Sequence, residues 1–426
     1  MKKTLLSLLS IAFFTSALFG QSFEQISTGP SYANQQFYDL DSKTGVTVSS
    51  EDWDLMFTAF GLQDAGIHVN EAVNLSFGAP APAVELYLAE TADFESVTAF
   101  DTNFVQLYND EASWANGALN VNLIPEDPLD YGWGVYNPMT RQVVGDDVFV
   151  IKLRSGEYKK FMIETLDATV YNIKHADLDG ENEQTAAIDK NNYSSGLIPF
   201  SFASNKALNL EVDGFDFLYT RYQTVLFDPG TGEDLDYFVT GIISAPGVEV
   251  AKVEGIDPAE VSAETELEFS TDLDAIGFDW KSFSFAGGWT LPEDLTYIVK
   301  TVEGKLYKMV FIDFEGSSTG TATFELSDLG TVSSVKQVNS TLEDVQIFPN
   351  PVQENLNITY SLKQAHRNVQ LELYNSIGQL VWTSQTDGNS GLNARTFVLP
   401  DFPVGTYLLN IQAGDYQVSR KVMIQK

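Results

Sequence analysis

The chain has 426 residues, a formal net charge of −35 at pH 7 and no cysteine. The lack of cysteine excludes disulfides, thiol catalysis and a lipid on an N-terminal cysteine, and this length is enough for a hydrophobic core to hold the fold without them. An acidic surface repels phosphate backbones, so we expect no nucleic acid partner; cations, or solubility alone, suit this charge better.

The first twenty residues have the three parts of a secretory signal peptide. Lys2 and Lys3 form a basic start, Thr4 to Phe19 is apolar, and Gly20 is a small residue at the exit. This stretch is too short to span a bilayer with margin, and no other segment has the apolar length of a transmembrane helix. We therefore predict a signal peptide that is removed on export; the alternative is an N-terminal membrane anchor.

The body of the chain contains two blocks that resemble each other in the same order. Asp52-Trp-Asp-Leu-Met-Phe-Thr-Ala-Phe60 corresponds to Gly214-Phe-Asp-Phe-Leu-Tyr-Thr-Arg-Tyr222. Further along, Trp133 and Trp280 each precede two alternating runs joined by a glycine turn. A period above 100 residues indicates duplicated half-domains rather than a solenoid. The predicted halves cover about 37–166 and 199–329.

The local pattern of the body is that of β-strands. Residues 149–154 and 158–163 alternate between apolar and polar side chains around a Ser-Gly turn, which is a hairpin signal. Long helical periodicity is absent, and 29 Phe, 18 Tyr and 6 Trp suit the interiors of sheets. We predict an all-β fold, with a duplicated antiparallel β-sheet body and a small C-terminal β-sandwich. The predicted divisions are the signal peptide at 1–20, the body at 21–329, a linker at 330–343 and the C-terminal domain at 344–426.

The body also resembles a known family. The run Trp53-Asp-Leu-x-Phe57, the hairpin Ile151-Lys-x-x-Ser-Gly-x-Tyr-Lys159 and the loop Ala176-Asp-Leu-Asp-Gly-Glu-Asn-Glu183 are similar to HmuY-like haem-binding proteins. The resemblance covers most of 37–329 and implies an all-β fold and haem capture. The family's lipoprotein cysteine is missing here, and no histidine matches the family's haem ligands.

Two histidines of the body are candidate haem ligands, because haem iron takes His or Met as axial ligands in an apolar pocket. His68 lies beside apolar residues in a predicted strand, and His175 precedes an acidic loop. The alternatives are a strand histidine satisfied by its neighbours and a solvated one. The methionines of the body are more often core residues than ligands.

The acidic loop itself is a candidate calcium site. Asp177, Asp179, Glu181 and Glu183 place oxygen ligands at alternating positions around the turn residue Gly180, which suits calcium. The loop lacks the third ligand before the glycine and the helical flanks of an EF-hand. The alternative is an ordinary acidic β-turn.

The C-terminal 83 residues contain four short motifs in order. They are Phe348-Pro-Asn-Pro351, a strand that ends in Ile377-Gly-Gln379, the strand entry Val404-Gly-Thr-Tyr407 and the basic pair Arg420-Lys421. Together they resemble the type A C-terminal sorting domain of type IX secretion cargo in Bacteroidetes. The resemblance covers 344–426 and implies recognition by the type IX secretion machinery, with cleavage of the tail after the outer membrane is crossed. The alternative is one more small β-sandwich.

The predicted sorting signal has seven residues. They are Pro349, Asn350, Pro351, Gly378, Gly405, Tyr407 and Lys421. The tail has equal numbers of acidic and basic residues, so the excess negative charge lies in the body. We expect a mature product that ends near 330–345 and is either released or attached to the cell surface.

For the body, the sequence offers little support for catalysis. The chain has no Gly-x-Ser-x-Gly, no His-Glu-x-x-His and no P-loop, and only two of its three histidines lie in the body. We predict a secreted or surface-attached protein that is not an enzyme and binds a ligand, with haem as the best-motivated one and calcium as a second candidate. The alternatives are a structural or adhesive surface protein without a small-molecule site, and a carbohydrate-active enzyme that uses a carboxylate pair.

Overall fold

The computed structural model describes residues 21–61, 64–73, 84–124, 127, 129–210, 214–228, 230–331, 342–353, 355–375, 379–414 and 416–425. The predicted signal peptide, residues 332–341 of the predicted linker, and Gly378 lie outside these ranges. Regular structure in the described part is antiparallel β-strand with short 3-10 turns, which confirms the all-β prediction. None of the helices among the described residues has the length and hydropathy needed to cross a membrane.

The body has 23 strands among its described residues, numbered here in chain order. The N-terminal segment has β1 (Gln21–Ser27), β2 (Asn34–Asp39) and β3 (Thr44–Ser49). Then follow β4 (Leu55–Thr58), β5 (Ile67–Val69), β6 (Glu85–Leu88), β7 (Val105–Leu107), β8 (Gly134–Asn137), β9 (Gln142–Gly145), β10 (Phe149–Lys152), β11 (Tyr158–Asp167), β12 (Val170–Asp177), β13 (Gln184–Asp189), β14 (Leu197–Ser201) and β15 (Lys206–Ala207). The last are β16 (Phe217–Asp228), β17 (Glu233–Ser244), β18 (Glu249–Glu254), β19 (Ser282–Ser284), β20 (Gly288–Thr290), β21 (Leu295–Lys300), β22 (Lys305–Phe314) and β23 (Thr321–Thr331). The 3-10 turns are Pro30–Tyr32, Phe94–Ser96, Ala118–Asn120, Lys190–Asn192 and Gly316–Ser318.

Two large sheets of the body have the same strand order. One contains the order β6-β10-β11-β12-β13, and the other has β18-β21-β22-β23-β1. Two smaller sheets also match, with the orders β15-β14-β4-β5 and β3-β2-β16-β17. We call β4–β15 the first repeat, and β16–β23 together with β1–β3 the second repeat.

The N-terminal segment therefore completes the repeat that is distant from it in sequence. Strand β1 pairs with β23, with Gln21 opposite Ser327, and so takes the place that β13 has beside β12. Strand β2 pairs with β16 in the way that β14 pairs with β4. The boundaries of the two structural repeats therefore differ from those of the halves predicted from the sequence, 37–166 and 199–329.

The two repeats agree in register as well as in order. Lys152 opposite Glu85 forms an ion pair of 2.7 Å, and Lys300 opposite Glu249 forms one of 3.0 Å at the matching position. A β-bulge lies between Ile163 and Thr165 in β11 and at the equivalent place in β22. We expect duplicated strands to retain equivalent bulges and cross-strand ion pairs, because these features fix the local twist and register.

A buried aspartate also recurs at the start of each repeat. The backbone N–H of Asp54 donates to Phe200 O at 2.8 Å, and its Oδ2 accepts from the N–H of Phe202 at 2.8 Å. Asp216 makes the same two bonds to Tyr38 and Leu40, each at 2.8 Å. Each carboxylate therefore fastens the neighbouring strand to its sheet.

The two aspartates differ in their surroundings. Burial raises the pKa of Asp54, and the guanidinium of Arg154 opposes that rise. For Asp216, burial followed by the carboxylates of Asp39, Glu303 and Asp41 raises the pKa to about 7. The second repeat thus holds a carboxyl group that binds its proton more tightly when folded than when unfolded.

We expect Asp216 to make the mature chain less stable as pH rises. Its folded pKa of about 7 lies above the unfolded value, so its contribution is fully present below about pH 4 and is lost as pH rises through about 7. The loss is on the order of a few kcal/mol. Asp216→Asn should flatten the fall in the free energy of unfolding between pH 5 and 8, measured by urea unfolding. Asp54→Asn is the matched control and should flatten it less; equal slopes in wild type and Asp216→Asn would contradict the assignment.

Each repeat has its own hydrophobic core. Trp133 lies fully buried in the core of the first repeat, and Trp280 lies fully buried in that of the second. A further apolar cluster joins the repeats and includes Trp53 and Trp114. The repeats therefore form one body, with a shared interface that positions the candidate site.

The tail forms a β-sandwich. Its strands are β24 (Leu342–Phe348), β25 (Asn355–Leu362), β26 (His366–Tyr374), β27 (Leu380–Gly388), β28 (Gly391–Val398), β29 (Gly405–Ala413) and β30 (Tyr416–Ile424). The sheets β24-β25-β28 and β27-β26-β29-β30 share one apolar core. A hydrogen bond of 3.3 Å from Tyr136 Oη to Leu392 O connects the tail to the first repeat.

Candidate functional site: a cleft between the two repeats

A cleft lies where β4 and β5 of the first repeat meet β16 and β17 of the second. Its inner part is narrow, about 60 Å³, and two outer recesses of about 470 and 410 Å³ share lining residues with it. Residues 108–112, after β7, form part of the wall. A partly enclosed, mostly apolar space with a few polar groups between two packed units is a common place for a ligand.

His68 lines the inner cleft, but its ring is already engaged. The Nε2 atom lies 2.9 Å from Trp114 O, and the two rings meet edge to face with centroids 4.9 Å apart. Burial lowers the pKa of His68, so the ring is neutral, and with the proton on Nε2 it donates to the carbonyl. The structure therefore gives His68 a partner, which matches the alternative of a satisfied strand histidine.

His175 lies in β12, outside the lining of the cleft. Its Nε2 atom is 2.9 Å from Asn205 Oδ1, and its ring packs edge to face against Phe202. Burial lowers the pKa of His175 as well. The structure does not bring the two candidate haem ligands together in one described pocket.

The candidate calcium loop forms the hairpin turn between β12 and β13. Asp177 Oδ1 pairs with Lys159 Nζ at 2.6 Å, and Glu183 pairs with Lys174 at 3.0 Å. Asp179 Oδ1 accepts from the N–H of Glu181 at 3.0 Å. Among the residues that the structure describes, no group of three or more His, Asp or Glu side chains is arranged to hold a metal. Calcium binding by this loop stays a prediction.

Glu71 is a cleft residue that the sequence did not point to. Its Oε1 accepts from the N–H of Asn109 at 2.8 Å, and its Oε2 accepts from the N–H of Gln223 in β16 at 3.2 Å. Burial raises the pKa of Glu71 to about 7. Because it holds backbone of both repeats, this carboxyl group is a bridge across the floor of the cleft.

Two tryptophans and an arginine frame the same floor. Trp114 Nε1 donates to Ser244 O at 2.7 Å, and Trp53 Nε1 donates to Gln35 Oε1 at 2.9 Å. The Nη atoms of Arg221 donate to Val73 O at 2.7 Å and Phe238 O at 3.1 Å. The two indoles and the Nη groups of Arg221 are held by backbone or amide oxygens, while Arg221 Nε has no hydrogen-bond partner among the described residues.

Tyr222 is a further cleft residue with an unpaired polar atom. It is only 4% exposed, it lines the inner cleft, and its hydroxyl has no hydrogen-bond partner among the described residues. Burial, followed by the carboxylates of Asp274 and Glu111, raises its pKa, so the hydroxyl stays neutral. A buried hydroxyl without a hydrogen-bond partner lowers the free energy of unfolding, so its presence calls for a structural or functional explanation.

The larger outer recess is lined by carboxylates. They are Asp110, Glu111, Asp236, Asp272 and Asp274. The described lining of this recess includes no Lys, Arg or His. Burial, followed by the charges of Asp272 and Asp279, raises the pKa of Asp274. No local sequence pattern gathers these residues, because they come from loops and strands of both repeats.

Two of the four sorting motifs, the first and the last, come together in the tail; Ile377 and Gly378 of the second lie outside the described residues. Asn350 Oδ1 accepts from the N–H of Met423 at 2.7 Å, and its Nδ2 donates to Lys421 O at 3.2 Å. Tyr407 is buried in β29, where its hydroxyl donates to Pro403 O at 2.8 Å, and Gly405 begins that strand. Pro349 and Pro351 line a shallow recess on the same edge. The first and last motifs thus form one surface.

Comparison with known proteins agrees with this arrangement for the tail. Residues 346–425 match the family described as the secretion system C-terminal sorting domain. No curated protein matches the chain. A solved structure of dimeric latent PorU from Porphyromonas gingivalis is 12% identical, with a TM-score of 0.18; the match covers 67% of this chain and about a third (32%) of that one. The sorting tail shows that the protein is cargo of the type IX secretion system, exported to the cell surface or the extracellular space.

Proposed function

We propose that the exported protein is a binding protein without catalytic activity, whose ligand enters the cleft between the two repeats. The observation that carries this proposal is the cleft itself, which residues of both repeats line and which borders Tyr222, whose buried hydroxyl has no hydrogen-bond partner among the described residues. A ligand that supplies this partner recovers the free energy that the unpaired hydroxyl costs.

The geometry argues against carbohydrate hydrolysis in this cleft. Glycosidases use a carboxylic acid with a raised pKa and a second carboxylate across the bond that is cleaved. Glu71 has the raised pKa, but each of its oxygens already accepts a backbone N–H group, one from each repeat, and a substrate would have to share these oxygens. The carboxyl group is therefore better suited to holding the repeats together than to proton transfer.

Haem, the ligand implied by the body's resemblance, suits this geometry poorly. The inner cleft of about 60 Å³ that contains His68 is far smaller than the several hundred Å³ of a cofactor pocket. A recess of about 870 Å³ beside Asp39 and Phe215 is large enough, but no His or Met belongs to its described lining. The recess that is large enough for haem and the histidine that could bind its iron therefore lie in different places.

A specific observation favours adhesion as a second candidate function. The hairpin β19–β20 exposes a cluster of three aromatic rings, in which Phe285 is fully exposed and contacts Phe283, and Phe283 contacts Trp289. Exposed apolar clusters of this kind mark interaction sites more often than solvent-facing surface.

The test uses the mature chain and three probes: spermidine, cellotriose and haemin. We expect at least one probe to change the fluorescence of Trp53 and Trp114 and to raise the melting temperature, because these indoles line the cleft. Tyr222→Phe should weaken that response, while haemin should leave its Soret band unshifted.

Two results would contradict this interpretation. A Soret shift that disappears in His68→Ala would make haem the ligand and His68 its axial residue. No response to any of the three probes would remove the support for the cleft and leave adhesion through β19–β20 as the better candidate.

A further inference from the structure

An arginine of the first repeat stands beside the buried aspartate of that repeat. Arg154 Nη2 donates to Ser50 O at 3.0 Å and to Ala72 O at 2.8 Å. Its positive charge acts on the carboxyl group of Asp54 and opposes the rise in pKa that burial causes. A guanidinium group placed in this way stabilises the charged form of a buried carboxyl group.

The equivalent position of the second repeat holds a valine. The N–H of Leu153 donates to Glu157 O at 2.8 Å, and the N–H of Thr301 donates to Lys305 O at 2.9 Å, so the turns after β10 and β21 match. The residue that follows in the first turn is the arginine, and the residue that follows in the second is Val302. The second repeat therefore has no side chain at this position that could donate to its own aspartate.

The surroundings of Val302 confirm the match. The N–H of Asn70 donates to Asp54 O at 2.9 Å, and the N–H of Ala245 donates to Asp216 O at 2.8 Å. Two residues further along each chain segment lie Ala72, which binds the arginine, and its equivalent Gly247. A β-carbon added at Gly247 would lie 3.2 Å from Val302 Cγ2. The valine thus contacts the residue that corresponds to the arginine's acceptor.

Beside this valine the second repeat has a recess of about 870 Å³, which Val302 and Asp216 both line. Asp216 is only 8% exposed, and its Oδ2 accepts from the N–H of Leu40 at 2.8 Å. Its Oδ1 accepts no hydrogen bond from the described residues, and this atom is not sealed from solvent. A buried carboxyl group therefore presents one unpaired oxygen to the recess.

Three lining residues of the recess are acidic where the first repeat has an uncharged residue. The pairs are Asp39 for Ser201, Asp41 for Ala203 and Glu303 for Ser155. Lys305 is the basic residue of the described lining, and it forms an ion pair with Asp41. The remaining carboxylates leave the recess negative, so a positive ligand lowers its electrostatic free energy.

Aromatic rings on the opposite repeat favour a guanidinium over an ammonium group. Phe60 and Phe215 both line the recess, and Phe60 is 41% exposed. Gly196 lies directly under the ring of Phe60, since a β-carbon added there would lie 2.2 Å from it. A guanidinium group is planar and weakly hydrated, and it stacks on aromatic faces better than an ammonium group does.

We propose that this recess binds the guanidinium group of an arginine, with Asp216 as its acceptor, so that the ligand supplies what Arg154 supplies in the first repeat. The site is separate from the cleft of the proposed function, and either can fail without the other. Among the described residues, no three or more His, Asp or Glu side chains are arranged to hold a metal. Free arginine and an arginine within a peptide share the guanidinium chemistry, and the experiment separates them.

Calorimetric titration of residues 21–426 with free arginine and with the capped peptides Ala-Arg-Ala and Ala-Lys-Ala tests the proposal. Arginine or Ala-Arg-Ala should bind, and the tighter of the two identifies the source of the guanidinium group. Ala-Lys-Ala should bind several-fold more weakly. Val302→Arg should abolish binding, because the new side chain occupies the site as Arg154 does in the first repeat. Asp216→Asn should weaken binding by about tenfold or more, because an amide nitrogen replaces the free oxygen.

Two matched controls separate the recess from general effects of charge. Val121→Arg adds the same side chain at an exposed position outside the recess, and Asp54→Asn changes the equivalent aspartate of the first repeat. Both should leave the affinity unchanged, with circular dichroism used to check folding. Absence of binding by both guanidinium probes would overturn the site, as would undiminished binding to a folded Val302→Arg. Equal binding of Ala-Lys-Ala and Ala-Arg-Ala would overturn the assignment of a guanidinium group.

Discussion

Replacing Trp280 by alanine is expected to lower the free energy of unfolding by about 3–5 kcal/mol. The indole is fully buried, and it stacks on Phe311 with centroids 4.0 Å apart and an angle of 15° between the rings. Its Nε1 donates to Gly277 O at 3.2 Å. Truncation removes this contact area, leaves a cavity and removes one of the two N–H donors to the Gly277 carbonyl, which keeps the N–H of Ile242.

Trp133→Ala should cost a similar amount, because Trp133 is equally buried in the first repeat and donates from Nε1 to Ala65 O at 2.9 Å. Urea unfolding of the mature chain, followed by circular dichroism, measures both losses. Phe285→Ala is the control, because that ring is fully exposed and its loss should change stability by about 0.5 kcal/mol or less. A large loss for Trp280→Ala with none for Trp133→Ala would show that the repeats are not equivalent at this element.

Deleting residues 342–426 should abolish surface delivery and leave a folded body in the periplasm. The deletion removes the whole sorting domain, while the sheets of the body are completed by its own strands, from β1 to β23. Cell fractionation with protease shaving of intact cells measures the fraction at the surface, and protease resistance in the periplasmic extract reports folding. Recovery of the shortened protein at the cell surface would contradict the role of the tail.

A point variant makes the same test sharper. Asn350→Ala removes the two hydrogen bonds that join the Pro-Asn-Pro motif to β30, and we expect it to reduce the surface fraction. Gln353→Ala changes a neighbouring residue for which the structure gives no such bond to β30, so export should continue. Loss of export in both variants would point to the stability of the tail rather than to the joined surface.

The sequence was sufficient for the parts of the fold that have local signals. Alternation around glycine turns predicted the hairpins β10–β11 and β21–β22, and five matched residues in two nine-residue runs predicted that β4 and β16 are equivalent. No local sequence pattern predicted that β1–β3 belong to the second repeat. Pairing between Gln21 and Ser327 depends on the whole chain in between, and a strand's own sequence does not name its partner.

Most residues of the candidate site could not be predicted from the sequence, for the same reason. An isolated glutamate such as Glu71 is typical of a solvated surface, and only the packing of two repeats buries it. Tyr222 belonged to the matched run that indicated the duplication, yet nothing in that run distinguishes a satisfied tyrosine from an unpaired one. The sequence indicated His68 as a possible ligand because of its imidazole. Its hydrogen bond to the carbonyl of Trp114 depends on the tertiary fold and could not be predicted from the sequence.

The exchanged N-terminal segment imposes an order on folding during export. Residues 21–49 precede the rest of the body in the chain, but their partners in β16 and β23 come late in it. The first repeat is contiguous in sequence and can close while the chain is still arriving. The second repeat must wait for Thr331, with the edge of β1 unpaired until then, and strand pairing across such a separation is slow. Nearly the entire body therefore has to be available before its last sheet can form.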